Sequence, residues 1–153
     1  MNLADRLSVL MSVAEFQGVA PPQRATLAAA MREERFLAGT TIVAEGESAD
    51  RLFALSAGTV EITQLETPGR IQKLGRGALI GELAFFANGA RTATVRAATD
   101  CELLSLPFAN FREFLLANPQ SALKLCQRLA RKLLATEAEL AAARQALPPG
   151  GVR

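Results

Sequence analysis

The segment GTTIVAEGESADRLFALSAGTVEI, residues 39–62, alternates short runs rich in Val, Ile, Thr and Phe with glycines that mark turns. The same pattern continues to about residue 106, with glycines at positions 39, 46, 58, 69, 75, 77, 81 and 89. Six runs fit short strands: 41–43, 52–55, 60–62, 71–74, 94–97 and 101–106. Strands this short and this closely spaced predict a small antiparallel barrel or sandwich.

Helical spacing of apolar residues flanks this β-region on both sides. It occurs in residues 3–17, after Pro21-Pro22, in 108–116 and, beyond Pro119, in a long run to about 147. We therefore expect one domain over residues 1–147. Its parts are a helical N-terminal piece of about 1–37, a β-region of about 38–106 and C-terminal helices of about 107–147, followed by a disordered tail at 148–153.

Composition excludes several kinds of function. The 153 residues include 17 basic and 15 acidic side chains, a formal charge of +2 that creates no field strong enough to imply nucleic-acid binding. The chain has no His, so catalytic triads with a His base, His-ligated haem and two-His zinc sites are excluded. No nucleophile paired with a base is visible either, and we expect a protein that is not an enzyme and holds no metal.

The two cysteines, Cys101 and Cys126, are too few for an iron–sulfur cluster or a four-thiolate zinc site. We expect both to be buried thiols in a reducing compartment. The N-terminus lacks the basic start and apolar block of a signal peptide, and no apolar run approaches the ~18 residues of a membrane span. The expected location is therefore the cytoplasm.

The final helical run carries two surface patterns. Seven residues are spaced alternately by three and four, as in a coiled-coil seam: Cys126, Leu129, Leu133, Thr136, Leu140, Ala143 and Leu147. This stripe fits packing against its own domain, a homodimer seam or a partner-binding helix. Basic residues cluster at Lys124, Arg128, Arg131 and Lys132. They fit a solvated face or, as a less common alternative, a surface for an anionic partner.

The apolar stretch 79–87 has a single charge, Glu82, directly after Gly81, and helix formers follow it. We expect a short buried helix there. Arg91 follows nine residues later, and two readings of this pair stay open. In one, Glu82 and Arg91 form an internal ion pair. In the other, the first N–H groups of the helix and the Arg91 fork bind an anion, and Glu82 accepts from a sugar hydroxyl, which describes a ribose-linked phosphate.

The segment GELAFFANGARTATV, residues 81–95, resembles the phosphate-binding cassette of the cyclic nucleotide-binding domain family, whose pattern is G-E-L-A, a short gap, then R-[ST/A]-A-[ST]. We refer to residues 81–95 as the cassette. The turn glycines Gly39, Gly46 and Gly58 and the downstream run 100–104 are similar to those of the family as well. The resemblance covers about residues 16–135.

This resemblance implies an α+β fold: an eight-stranded antiparallel β-roll, jelly-roll-like, with N-terminal helices and two C-terminal helices, the last a lid. It implies that Glu82 accepts from the ribose 2′-hydroxyl and that Arg91 pairs with the cyclic phosphate. The remaining ligand-binding residues that it implies are Gly81, Leu83, Ala84, Thr92 and Ala93. No aromatic residue follows Phe114, so the base is expected to be covered by a residue of about 125–134.

The implied function is a regulatory domain that binds cAMP or cGMP as ligand, needs no cofactor, and signals by repositioning its C-terminal helix. The sequence after residue 147 contains no helix-turn-helix, so we expect no nucleic-acid binding by this chain alone. The effector is then a partner protein or a fused domain missing here, as in a transcription factor or ion channel. The alternative is a degenerate, non-binding member that serves as a dimerisation or docking module.

Overall fold

Eight strands and five α-helices make up residues 1–87 and 89–147, the part of the chain that this computed structural model describes. The helices are α1 Leu3–Ser12, α2 Pro21–Ala30, α3 Glu82–Phe86, α4 Phe108–Ala117 and α5 Pro119–Gln145. The strands are β1 Arg32–Phe36, β2 Thr41–Val43, β3 Arg51–Ala57, β4 Val60–Thr63, β5 Gln72–Leu74, β6 Leu79–Ile80, β7 Thr94–Ala97 and β8 Cys101–Pro107. A 3₁₀ turn, Ala14–Phe16, follows α1. The expected tail at 148–153 lies outside the described residues.

The strands form two four-stranded sheets, ordered β1-β8-β3-β6 and β2-β7-β4-β5, in which every pairing is antiparallel. Helices precede the sheets in the chain and two helices follow them. The α+β fold with an eight-stranded antiparallel β-roll, N-terminal helices and two C-terminal helices is therefore confirmed. None of the described helices combines the length and the apolar character that crossing a bilayer requires.

Strand β3 is the element around which the two cores are built. Its residues alternate between faces, so Leu52 and Ala54 pack with the helices while Phe53 and Leu55 lie in the interior between the sheets. Because both faces are covered, the strand reads as a nearly continuous apolar run. It also pairs with β6, which leads directly into α3. The cassette is thus attached to a strand whose five central residues, 52–56, are all buried.

Two strands were not predicted, and one corrects the expected helical piece of about 1–37. Strand β1, with sequence REERF, shows no apolar alternation, yet it pairs along its full length with β8, from Arg32 opposite Ser105 to Phe36 opposite Cys101. Backbone hydrogen bonding to a buried neighbour, rather than side-chain burial, makes it a strand. Strand β6 has two residues, too few to leave a periodic pattern.

The predicted burial of both cysteines is half right. Cys101 is buried on β8, whereas Cys126 is exposed on α5. Cys126 directly follows the buried Leu125 and lies on the face of α5 that is turned away from the domain, and every residue from 130 to 147 is exposed as well. Helical periodicity shows which residues share a face, but it does not show where along its length a helix leaves the domain.

Candidate functional site

The cassette begins at a backbone position that requires glycine. Gly81 has a φ of 91°, the left-handed region that side chains disfavour, and it ends β6 and precedes α3. A Cβ at this position would lie 2.5 Å from Arg91 Nη1. The first N–H groups of α3, including those of Leu83 and Ala84, have no acceptor within the helix. Gly81 therefore allows the turn and also allows the Arg91 side chain to approach it.

Arg91 is buried, with 5% of its surface exposed. Its backbone is held by the loop before β3, because Arg91 N donates to Glu47 O at 2.8 Å and Gly46 N donates to Arg91 O at 2.8 Å. Its Nη2 donates to Arg51 O at 2.8 Å, while its Nη1 has no hydrogen-bond partner among the residues described. The side chain is thus fixed at one end of the guanidinium and left with free donors at the other.

The electrostatics around Arg91 disfavour its charge. Burial lowers the pKa of this guanidinium, and the neighbouring cation of Arg51 lowers it further, while Asp50 and Glu47 oppose these effects. Within residues 1–87 and 89–147, no carboxylate lies within 4.0 Å of the Arg91 nitrogens. A buried cation without a carboxylate partner is costly, and an anionic ligand would remove that cost.

Glu82, the first residue of α3, is also buried, with 7% of its surface exposed. It pairs not with Arg91 but with Lys132 of α5, whose Nζ lies 3.7 Å from its Oε1. Burial raises the pKa of Glu82, and the nearby Glu15 adds to this, whereas its own backbone N–H and Lys132 lower it. The internal Glu82–Arg91 ion pair, one of the two readings of the sequence, is therefore not formed in the described structure.

The remaining predicted site residues lie on two segments. Leu83 is half exposed and Ala84 is buried, both on α3. Thr92 is exposed and Ala93 is half-buried, in the loop that leads into β7. Thr92 O accepts from Gln64 Nε2 at 3.1 Å, which ties this loop to the turn between β4 and β5. Of these residues, Gly81 and Arg91 come from different segments, and the Arg91 side chain contacts the Gly81 backbone.

Sequence reasoning missed how α5 attaches to the site. Three of the four clustered basic residues contact the body of the domain: Lys124 Nζ donates to Gln17 O at 3.0 Å, Arg128 Nε lies 3.6 Å from Glu15 Oε1, and Lys132 pairs with Glu82. Their spacing of four residues was the available signal, because it places them on one face of a helix. These three contacts attach α5 to the rest of the domain.

The seven-residue stripe on α5 is partly packed against the domain and partly exposed. Leu129 is half-buried, but Leu133 is 59% exposed and Leu140 is 49% exposed. Packing of the whole stripe against its own domain, one of the three readings, is therefore wrong for the part beyond Leu129. Farther along, Glu139 lies 3.4 Å from Arg70, an exposed pair that places α5 beside the turn between β4 and β5.

The fold and the site define a class: a β-roll domain with a short inserted helix and a buried arginine beside that helix. The chain belongs to the cyclic nucleotide-binding domain family, whose sequence model matches residues 33–118. A CRP-like cAMP-activated global transcriptional regulator of Mycobacterium tuberculosis is 32% identical over 136 residues, which are 87% of this chain and 61% of that protein.

Two solved structures are similar. The catabolite activator protein of Thermus thermophilus has a TM-score of 0.76 and 26% identity, with 85% of this chain and 62% of that one covered. The regulatory domain of Toxoplasma gondii PKA, crystallised with cAMP, has a TM-score of 0.74 and 27% identity, with 84% and 50% covered. This chain therefore spans about three fifths or less of these relatives.

The raised pKa of Glu82 predicts a pH-dependent effect of Glu82→Gln. A carboxyl whose pKa is raised on folding favours the folded state at low pH, and this contribution is lost as pH rises through the folded-state pKa. Glu82→Gln, which resembles the protonated form, should therefore unfold at higher urea concentration than the parent at about pH 7. The difference should vanish near pH 4, about the pKa of an unperturbed Glu.

The control for this experiment is Glu137→Gln, which makes the same charge change at an exposed position of α5. A Glu82→Gln variant that is less stable than the parent at neutral pH would show that the ion pair with Lys132 outweighs burial, contrary to this expectation.

Proposed function

We propose that this chain is a ligand-sensing regulatory domain that binds a 3′,5′-cyclic nucleotide, cAMP or cGMP, and acts by binding rather than by catalysis. The observation that carries the proposal is the buried Arg91 guanidinium, which has one hydrogen bond to a backbone carbonyl and a second nitrogen without a partner among the described residues. A phosphate accepts from such a planar fork in a bidentate manner. The family membership and the cAMP in the relatives' names support the same ligand class.

The proposed contacts follow from the chemistry of each group. The cyclic phosphate would accept from Arg91 and from the free N–H groups of Leu83 and Ala84 at the start of α3. Thr92, with an exposed hydroxyl, and the backbone N–H of Ala93 would add donors on the opposite segment. Glu82 has only acceptors when ionised, so it suits the ribose 2′-hydroxyl rather than the phosphate.

The proposed signal passes through the contact between Glu82 and Lys132. A ribose hydroxyl that donates to Glu82 changes the environment of the carboxylate that holds Lys132 at 3.7 Å. Lys132 lies on the first exposed turn of α5. A change in its contact with Glu82 therefore changes how much of α5 stays packed against the domain. A ligand that favours one position of α5 over another shifts the population of that position, which is the proposed output.

The first experiment is isothermal titration of the purified domain with cAMP and cGMP, with 5′-AMP as a comparison. We expect saturable binding of a cyclic nucleotide, and Arg91→Leu should weaken it at least about thirtyfold because the phosphate loses its buried cation. Glu82→Ala should weaken it less. The matched control is Arg96→Leu, which removes the same charge from an exposed position on β7 and should bind like the parent.

If the folded parent binds neither cyclic nucleotide, or if Arg91→Leu binds as the parent does, the proposed ligand site is wrong. The docking-module alternative would then be favoured.

The proposed link to α5 can be tested by amide hydrogen exchange. With saturating cyclic nucleotide, exchange in residues 130–145 should change in the parent. In Lys132→Gln this ligand-dependent change should fall by at least about half, because the side chain that contacts Glu82 has lost its charge. Arg131→Gln, an exposed neighbour with the same charge change, should respond as the parent does. An unaltered response in Lys132→Gln would show that α5 senses the ligand by another route.

We propose that the exposed half of the stripe on α5 packs against the same stripe of a second copy of this chain. In a parallel two-stranded coiled coil, equivalent seam residues face each other, so Cys126 of one copy would lie opposite Cys126 of the other. Mild oxidation should therefore give a disulfide-linked dimer, and sedimentation should show a dimer that a Leu133→Ser, Leu140→Ser variant lacks. Leu116→Ser, at an exposed position of α4, is the control. A monomer at all concentrations would leave an effector protein as the partner of the stripe.

A further inference from the structure

The guanidinium of Arg91 needs a source of stabilisation beyond its one hydrogen bond. Burial and the nearby Arg51 cation both lower its pKa, so its surroundings disfavour the charge. Its Nη2 donates to a backbone carbonyl, which is a neutral acceptor. Buried cations are ordinarily paired with a carboxylate, and within the described parts of the chain Arg91 has none within 4.0 Å.

The ring of Phe53 lies within reach of this guanidinium. The Arg91 Cζ lies 5.7 Å from the ring centroid, within the distance at which a cation is attracted to the negative face of an aromatic ring. Phe53 is fully buried and lies in the middle of β3, where it is opposite Ile80 of β6 and Ser105 of β8. Strands on both sides therefore fix the ring, and its position does not depend on a flexible loop.

Arg51 approaches the same ring, but its charge is already compensated. Its Cζ lies 5.0 Å from the Phe53 centroid, its Nε and Nη2 donate to the two carboxylate oxygens of Glu34 at 2.9 and 3.0 Å, and its Nη1 lies 3.1 Å from Asp50. Two guanidinium groups thus share one ring. Of these two, Arg91 is the one whose charge no carboxylate of the described chain neutralises.

An aromatic ring suits this position better than a carboxylate would. A carboxylate in contact with Arg91 would stabilise it, but it would also occupy the same donors that a phosphate needs. A ring face attracts the cation without accepting its in-plane N–H groups in strong hydrogen bonds. Nη1, which lies beside Gly81, has no hydrogen-bond partner among the described residues.

We propose that Phe53 is a positioning residue for Arg91: its ring face stabilises the buried guanidinium and orients it for an anionic ligand without neutralising it. This inference rests on the proposed function, in which Arg91 binds the cyclic phosphate. Phe53 acts through Arg91 and is not itself assigned any contact with the ligand.

The test replaces Phe53 with phenylalanines carrying one, two or three ring fluorines, which weaken the negative ring face with little change in shape. The dissociation constant for the cyclic nucleotide that binds best should rise with each fluorine, by about fivefold over the series. The same series at Phe16, a buried ring that packs edge-on to Phe114 at 5.7 Å, is the control and should leave affinity unchanged. If the dissociation constant stays the same along the fluorine series at Phe53, the proposal is overturned.

A second measurement does not require a ligand. Urea unfolding of the parent, Phe53→Leu, Arg91→Met and the double variant forms a double-mutant cycle. The effect of Phe53→Leu on the unfolding equilibrium should be about fivefold smaller when residue 91 is Met, because the cation that the ring stabilises is gone. Additive effects would overturn the role of Phe53. Coupling together with no nucleotide binding would instead refute the proposed function and leave the ring–guanidinium contact established.

Discussion

The turn, the loop and the strand around Arg91 depend on one constraint, a buried cation that has no carboxylate partner among the residues the structure describes. The turn at Gly81 has to lack a side chain because a Cβ would collide with the guanidinium. The loop before β3 holds the Arg91 backbone through Gly46 and Glu47, and β3 supplies both the carbonyl of Arg51 and the ring of Phe53. These backbone groups and the ring carry no negative charge, so the energetic cost of burying the cation remains, and in the proposed function an anionic ligand removes it.

The second buried charge, Glu82, connects this centre to the surface. Its carboxylate is destabilised by burial and held by Lys132, one turn beyond Arg128, which lies near Glu15. Two cations on successive turns of α5 thus meet two buried carboxylates from separate elements, α3 and the 3₁₀ turn after α1. Beyond these contacts every residue of α5 is exposed. Lys132, which pairs with Glu82 at the proposed ribose site, therefore lies close to residue 130, where the exposed part of α5 begins.

Much of the fold could be predicted because its signals are local. Turn glycines and short β-branched runs located six of the eight strands, and proline and apolar spacing located α2, α4 and α5. The short helix at α3 followed from helix formers after Gly81. Strand β1 was missed because four of the five residues of its sequence, REERF, are charged, and its state depends on pairing with β8. Of the site, the cassette residues were named from sequence, and the structure brings Gly81 and Arg91 together. Phe53 and Lys132 were missed because their roles arise from proximity across the fold.

The sequence by itself determined the family, the helices and six of the eight strands, and the absence of His chemistry, since composition, turn chemistry and a spaced motif are properties of neighbouring residues. Only the tertiary structure decided whether Glu82 and Arg91 pair with each other, because both readings use the same residues at the same spacing. It also decided that the clustered cations of α5 hold the helix and that Cys126 is exposed. These outcomes depend on which groups meet across elements far apart in the chain, and on which face of a regular helix the core covers.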